Sequence, residues 1–290
     1  MSGAVRFAAA AAAILLLGAC SLQRLAYSNV ALAYSNASPV LAWMAGDYVD
    51  MTDEQKEWVR VRIERAFAWH REQELPEYRR FLERVLEQSR DDISVEEARA
   101  ALRDIRESYH RTLDRIVPDL AEFLSQIDAE QAKQLERSFA RDNRKFIAES
   151  LRGTPVERRE RRVGKLLDNL EEFTGPLSAA QRALVTERAG ALPELVDEQL
   201  ADRRYRQAEI LALVRSNPPR EKWVAELHRL LVETESWRRP EYQEKIRARD
   251  QKVFEMIAAL SASLTAEQRA HFAARLRGFI RDITELTASS

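Results

Sequence analysis

LTAEQRAHFAARLRGFIRDITEL, residues 264–286, carries two structural signals in succession. Thr265 followed three residues later by Gln268 has the spacing of a capping box: the N-cap oxygen accepts from the N3 amide, and the N3 side chain reaches back to the N-cap amide. Phe272, Leu276, Phe279, Ile280, Ile283 and Leu286 then recur at three- and four-residue intervals, which places them on one face of an α-helix. The stretch therefore reads as a helix start followed by an amphipathic helix.

Working outward, the same pairing occurs in Met51-Thr52-Asp53-Glu54-Gln55, Ile127-Asp128-Ala129-Glu130-Gln131 and Leu177-Ser178-Ala179-Ala180-Gln181. Ser94 with Glu97 and Thr154 with Glu157 use Glu in the second position, the latter pair with Pro155 at the favoured first helical position. An apolar residue precedes each glutamine box. The usual staple position holds Lys56, Ala132, Arg182 or Arg269, so Leu135, Val185 and Phe272, one turn farther on, are the expected partners. After Gln55 the apolar stripe is Val59, Ile63, Ala66 and Phe67; after Gln131 it is Leu135, Phe139, Phe146 and Ile147.

Composition agrees. The chain of 290 residues is 45% hydrophobic and 32% charged, with only eight Gly and nine Pro, too few for the turns of an all-β protein. We expect an all-α protein, a multi-helix elongated or bundle-like array of antiparallel helices. Capping signals and breakers place helices near 22–36, 53–75, 77–90, 95–117, 119–126, 129–151, 155–173, 179–215 with a kink at Pro193, 219–237, 241–262 and 266–287. Phe139-Ala-Arg-Asp-Asn-Arg-Lys-Phe-Ile147 and Phe272-Ala-Ala-Arg-Leu-Arg-Gly-Phe-Ile280 share five residues at matching offsets, which fits two halves divided near 153–176. They lie one helical turn apart relative to their boxes, and coincidence between two Arg-rich amphipathic helices accounts for the match equally well.

The N-terminus addresses location. Arg6 supplies a minimal positive region, Phe7 to Leu17 form an apolar run too short to span a bilayer, and Leu17-Gly18-Ala19-Cys20 closes it. This looks like a bacterial lipobox with cleavage between Ala19 and Cys20. Cys20 is the chain's only cysteine and falls where the lipid attaches. Residues 1–19 then form a lipoprotein signal peptide, 20–50 an anchor and membrane-proximal helical segment, and 51–290 the helical domain. By resemblance to Gram-negative lipoproteins, Ser21 rather than Asp after the cysteine implies delivery to the outer membrane, on its periplasmic face. Leu25-Ala-Tyr-Ser-Asn-Val-Ala31 and Leu32-Ala-Tyr-Ser-Asn-Ala-Ser38 form a tandem heptad. It fits either a helix packed on the protein's own body or one lying at the membrane interface; the lack of Lys and Arg favours the first.

Two family resemblances enter here. Tyr27-Ser28-Asn29, Trp43 and Asp47-Tyr48-Val49-Asp50-Met51-Thr52-Asp53-Glu54-Gln55 resemble the start of an uncharacterised family of proteobacterial lipoproteins, which pair a lipobox with a Tyr-Asn element and a D-Y-x-D-L-T-x-x-Q segment. That similarity implies helical architecture and no known activity. Separately, L-T-x-x-Q is the hallmark of the Spy/CpxP-like periplasmic chaperones. Leu264 to Gln268 fit it fully, Leu177 to Gln181 with Ser for Thr, and the copies at Met51 and Ile127 depart further. The resemblance implies client binding in a helical cradle.

Catalytic chemistry finds little support. His70, His110, His228 and His271 are scattered, and Glu107-x-x-His110 has the spacing of half a di-iron site with no second copy. No glycine-rich phosphate loop or nucleophile elbow occurs, and the single cysteine is committed to lipid. Arg158-Arg159-Glu160-Arg161-Arg162 is the strongest basic cluster; Glu157, Asp168, Glu171 and Glu172 nearby favour a solvated face over a lipid-phosphate site. Trp43, Trp58, Trp69, Trp223 and Trp237 read as core or groove anchors. With 46 basic against 47 acidic residues there is no field to draw the chain onto nucleic acid. The expectation is a non-enzymatic binding protein without cofactor or metal, attached to membrane lipid through Cys20. Its partner would be a polypeptide client or an envelope protein; the alternative role is a structural adaptor for an envelope complex.

Overall fold

The computed structural model describes residue 41 and residues 45–288, and among these every regular element is helical. In chain order they are α1 (Asp53–Trp69), a π-helical turn (His70–Glu74), α2 (Leu75–Gln88), α3 (Val95–Leu124), α4 (Ala129–Ser150), α5 (Pro155–Thr174), α6 (Ala179–Gly190), α7 (Val196–Ser216), α8 (Arg220–Leu231), a 3-10 turn (Thr234–Ser236), α9 (Pro240–Ala262) and α10 (Ala266–Ala288). The protein is all-α. Ala19, Cys20, Trp43, the tandem heptad and the helix expected near 22–36 lie outside the described residues.

Four element boundaries differ from the sequence reading, each for a physical reason. Helix α3 runs unbroken through Pro118, where a break was expected. Leu113 and Val117 before the proline and Leu120 and Ala121 after it are all buried, and that burial outweighs a proline cost of about 3 kcal/mol. The break expected at Pro76 is replaced by the π-helical turn leading directly into α2. The wider turn eases the clash of a proline ring with the carbonyl one turn back, and Pro76 sits in the first turn of α2, where a missing N–H costs least. Pro193 does not kink one long helix: residues 191–195 separate α6 from α7. Near Pro218-Pro219, α8 stops at Leu231 instead of reaching 237, and the 3-10 turn follows.

The chain folds into two compact units, and the chain order is interleaved rather than split once near 153–176. Among the described residues, the first comprises those up to Glu74, Glu107–Glu149 and Val196–Arg239; the second comprises Leu75–Arg106, Ser150–Leu195 and those from Pro240 onward. In the first unit Val49, Met51, Val59, Leu113, Phe139, Ile210 and Trp223 belong to one buried apolar cluster fed by α1, α3, α4, α7 and α8. In the second, Val163 and Leu167 of α5, Val185 and Ala189 of α6, and Met256 and Leu260 of α9 make another. There α2 packs along α10, and α5 packs against both α6 and α10. The tryptophans divide: Trp223 is 1% exposed, Trp58 stacks on Phe123 at 6.3 Å with the Arg62 guanidinium 4.4 Å from its ring, and Trp237 is half-buried and stacks on the exposed Tyr205.

Candidate functional site

The four glutamine boxes meet in pairs, one pair in each unit. In the first unit, Thr52 Oγ1 accepts from Gln55 N (3.3 Å) while Gln55 Oε1 accepts from Thr52 N (3.0 Å). Asp128 and Gln131 make the same reciprocal bonds at 2.8 and 3.0 Å. The two glutamine amides then bond to each other: Gln131 Nε2 donates to Gln55 Oε1 (2.6 Å) and Gln55 Nε2 to Gln131 Oε1 (3.2 Å). In the second unit, Ser178 with Gln181 and Thr265 with Gln268 form the boxes, and Gln181 and Gln268 exchange amide bonds, both at 2.9 Å. The helix starts of α1 and α4, and of α6 and α10, are thus tied cap to cap.

Each amide has two donors and two acceptor positions. Gln268 uses all of them: Oε1 takes Thr265 N and Gln181 Nε2, while Nε2 gives to Gln181 Oε1 and to the Pro176 carbonyl at 2.8 Å. Gln181 does likewise, giving to the Ser263 carbonyl at 2.8 Å, and Gln131 gives to the Asp50 carbonyl at 2.8 Å. These carbonyls lie just ahead of the partner box, so Gln131, Gln181 and Gln268 each fix both their own helix start and the chain entering the other. Gln131, Gln181 and Gln268 are buried, which is affordable only because the bonding is complete; Gln55 is half-buried. The apolar residue before each cap enters the core beside its expected partner in two cases: Ile127 joins the first cluster with Leu135, and Leu177 the second with Val185. Phe272 stays half-buried outside the second cluster. Ser94 with Glu97 and Thr154 with Glu157 form boxes too, and the backbone N–H of each cap residue holds the glutamate carboxyl below its usual range.

The first unit also buries charge. Arg203, Arg206 and Gln207 of α7 are all buried. Arg203 Nε donates to Asn143 Oδ1 at 2.7 Å, Asn143 Nδ2 donates to Gln207 Oε1 at 2.7 Å, and Asp142 stands 3.8 Å from Arg203 Nη2 while accepting from the Tyr48 hydroxyl. The Arg203 guanidinium lies 5.5 Å from the Phe146 ring and that of Arg206 5.5 Å from the Trp237 ring. Burial raises the Tyr109 phenol, against the opposing pull of Arg206. Nearby in the chain, Glu74 is 2% exposed and accepts from Ser108 Oγ (2.5 Å) and from Arg111 Nε and Nη2 (2.9 and 3.0 Å). His70 is fully buried, and burial pushes its imidazole down to about 4 against the opposing pull of Glu74. Arg203, Asn143 and Gln207 are bonded in one set and Glu74, Ser108 and Arg111 in another, while the Gln207 Nε2 atom is buried without a hydrogen bond.

That network escaped the sequence reading, although a signal existed. Leu200, Arg203, Gln207 and Ile210 share a helical stripe, so polar residues occupy core-facing positions. The segment Asp47 to Met51 also has a role beyond its motif: the Asp47 carbonyl accepts from Ser138 Oγ at 3.1 Å and Arg141 Nη2 at 3.2 Å, and Tyr48 packs edge-on against Phe139 at 6.4 Å. The basic cluster is partly engaged. Arg158 grips the Glu194 carboxylate through Nε and Nη2 at 2.7 and 2.8 Å, Arg162 adds a third bond at 3.1 Å, and Arg161 donates to the Arg152 carbonyl. Glu107 and His110 are exposed on α3, and among the described residues no group of three His, Cys, Asp or Glu is placed to hold a metal ion. His271 lies 3.3 Å from the Glu172 carbonyl.

A cleft opens in each unit. In the first, about 650 Å³ lies among Glu122, Gln126, Pro218, Pro219, Arg220 and Trp223, beside Asn217, which has φ of 36°. In the second, about 620 Å³ lies between α5 and α6, with Val163, Gly164 and Leu167 on one wall, Thr186, Gly190 and Ala191 on the other, and Arg159, Glu160 and Glu187 at the rim.

Among the described residues the helices of each unit are thus pinned by a pair of interlocked helix caps. The chain belongs to the DUF6279 family, a family of unknown function, whose profile matches residues 47–243. The match opens at Asp47, the first residue of the segment docked on α4, and spans three of the four glutamine boxes. No curated protein and no solved structure matches the chain.

Proposed function

We propose that this protein is a lipid-anchored, non-enzymatic polypeptide-binding protein of the Gram-negative envelope, held at the periplasmic face of the outer membrane through Cys20 and acting in a chaperone-like way. The observation that carries the binding reading is the α5–α6 cleft, whose buried apolar walls, Val163 and Leu167, meet a rim of both charges, Arg159 and Glu187. A site of this kind takes an apolar side chain and offers partners to the polar groups flanking it. Resemblance of the boxes to the L-T-x-x-Q chaperones points the same way, and the apolar run closing on the chain's only cysteine supports the anchor. Among the described residues no helix is long and apolar enough to cross a membrane, so attachment by lipid rather than by one of these helices is consistent.

Two measurements test the reading. Metabolic labelling with a palmitate analogue is expected to mark the wild-type protein and not Cys20→Ala; equal labelling of both removes the anchor. The mature chain is expected to suppress aggregation of a reduced, unfolding client, and Gly164→Trp, which fills the cleft, to abolish that suppression. Absence of suppression by the wild-type chain, with one partner recovered by crosslinking in cells, would replace this reading with the structural adaptor.

A further inference from the structure

One face of α5 carries Val156, Arg159, Glu160, Val163 and Leu167 at three- and four-residue spacing, so the apolar wall of the α5–α6 cleft continues along the helix toward its N-terminus. Val163 and Leu167 are buried, whereas Val156 is 52% exposed, against 39% for Ile105 and Tyr205, the other exposed large apolar side chains among the described residues. Across the cleft, α6 ends at Gly190, where a Cβ would meet the Arg159 Cδ at 3.8 Å; at Gly164 of α5 a Cβ would meet nothing within 4 Å. These two missing side chains leave room for the backbone of an incoming segment to approach.

The charges around the cleft differ in how far they are engaged. Glu194 is held by Arg158 and Arg162, Glu171 by Arg182, and Glu157 by the Thr154 cap, while Arg188 and Lys252 donate to the Glu255 and Ala191 carbonyls. The charged groups that line the cleft itself are the exception. Among the described residues the carboxylates of Glu160 on α5 and Glu187 on α6, and the Arg159 guanidinium, make no hydrogen bond or ion pair.

Resting on the reading of this cleft as the polypeptide-binding site, we propose that its occupant is an amphipathic helix of another chain, with apolar side chains two turns apart and Lys or Arg beside them. Val156 and Val163 stand seven residues apart, about 10 Å along α5, so a helix lying beside α5 sets its own side chains at i and i+7 against them. An extended segment fits less well. The backbone groups of α5 and α6 are spent on their own helical ladders, and an extended chain buried against them would lack partners, whereas a helix brings its own bonds. Cations flanking the apolar anchors meet Glu160 and Glu187, and a single acid meets Arg159. A second copy of this chain supplies no such pair among the described residues, because Ile105, Val156 and Tyr205 stand on three different helices.

Two fluorescent, lactam-bridged helical peptides with leucines at i and i+7, one flanked by lysines and the other by glutamates, test the assignment by anisotropy on the full chain. At low salt the lysine helix is expected to bind roughly five- to tenfold tighter, and added salt to erode the margin. In the Glu160→Gln, Glu187→Gln double variant, both changes being at exposed positions, the margin is expected to fall to about twofold or less. Gly164→Trp is expected to abolish binding of both helices. Equal binding of the two helices, tighter binding of the glutamate helix, or a lysine preference unchanged in the double variant overturns the proposal and leaves the cleft as a binding site. Suppression of client aggregation that Gly164→Trp abolishes, with neither helix bound, does the same. Helix binding that survives Gly164→Trp removes the cleft itself, and a wild-type dimer that Gly164→Trp dissociates would seat a second copy there and overturn the proposal.

Discussion

At the scale of single residues, His70 is the buried ionisable group with the clearest consequence. Burial holds its imidazole near 4, whereas an unfolded chain binds the proton with the ordinary value of about 6.5. The unfolded state therefore takes up more protons between pH 6.5 and pH 4, and stability rises with pH across that window and is lost as pH falls through it. At about 1.36 kcal/mol per pH decade the full effect approaches about 3 kcal/mol. Chemical denaturation at pH 7 and pH 4.5 is expected to show this loss in the wild type and a clearly smaller one in His70→Phe; an identical loss in both would assign the acid sensitivity elsewhere. Sequence could not reveal this histidine. Nothing in Trp69-His70-Arg71 distinguishes an imidazole inside the first unit from the exposed His110 or His271, because burial here depends on the π-helical turn, which has no sequence signature.

Among elements, helix starts were the legible part and helix continuations the illegible part. Thr52, Ser178, Thr154 and Pro155 act locally, through side-chain-to-backbone bonds within three residues, so spacing alone reveals them. Pro118 misleads because its local cost is offset by buried contacts from distant segments, which no window of sequence contains. Two predictions belong here. Thr154→Ala removes the oxygen that accepts from Glu157 N and is expected to cost about 1 kcal/mol in urea unfolding. Gly164 lies inside α5 with open space where a Cβ would stand, so Gly164→Ala is expected to stabilise by about 1 kcal/mol; destabilisation would show that the helix needs glycine there for its own packing.

For the whole molecule, the repeated glutamine box turns out to be a long-range device as well as a local one. The sequence showed four helix starts, yet not that they pair across 76 and 87 residues, because amide-to-amide bonding carries no periodicity along the chain. The same limit hid the interleaving of the two units: α3 supplies residues to both, so a division near 153–176 looked natural from the punctuation at Gly153 and Gly175-Pro176. The reciprocal glutamine pairs hold each unit's helix starts together. A double-mutant cycle on Gln181 and Gln268 measures this most directly, using equilibrium unfolding of the wild type, Gln181→Ala, Gln268→Ala and the double variant. Each single change strips one buried amide and leaves its partner unsatisfied, at an expected cost of about 2 to 3 kcal/mol. The double variant is expected to fall short of the sum by about 1 kcal/mol or more, whereas strictly additive losses would show that the two caps act independently and would contradict the account.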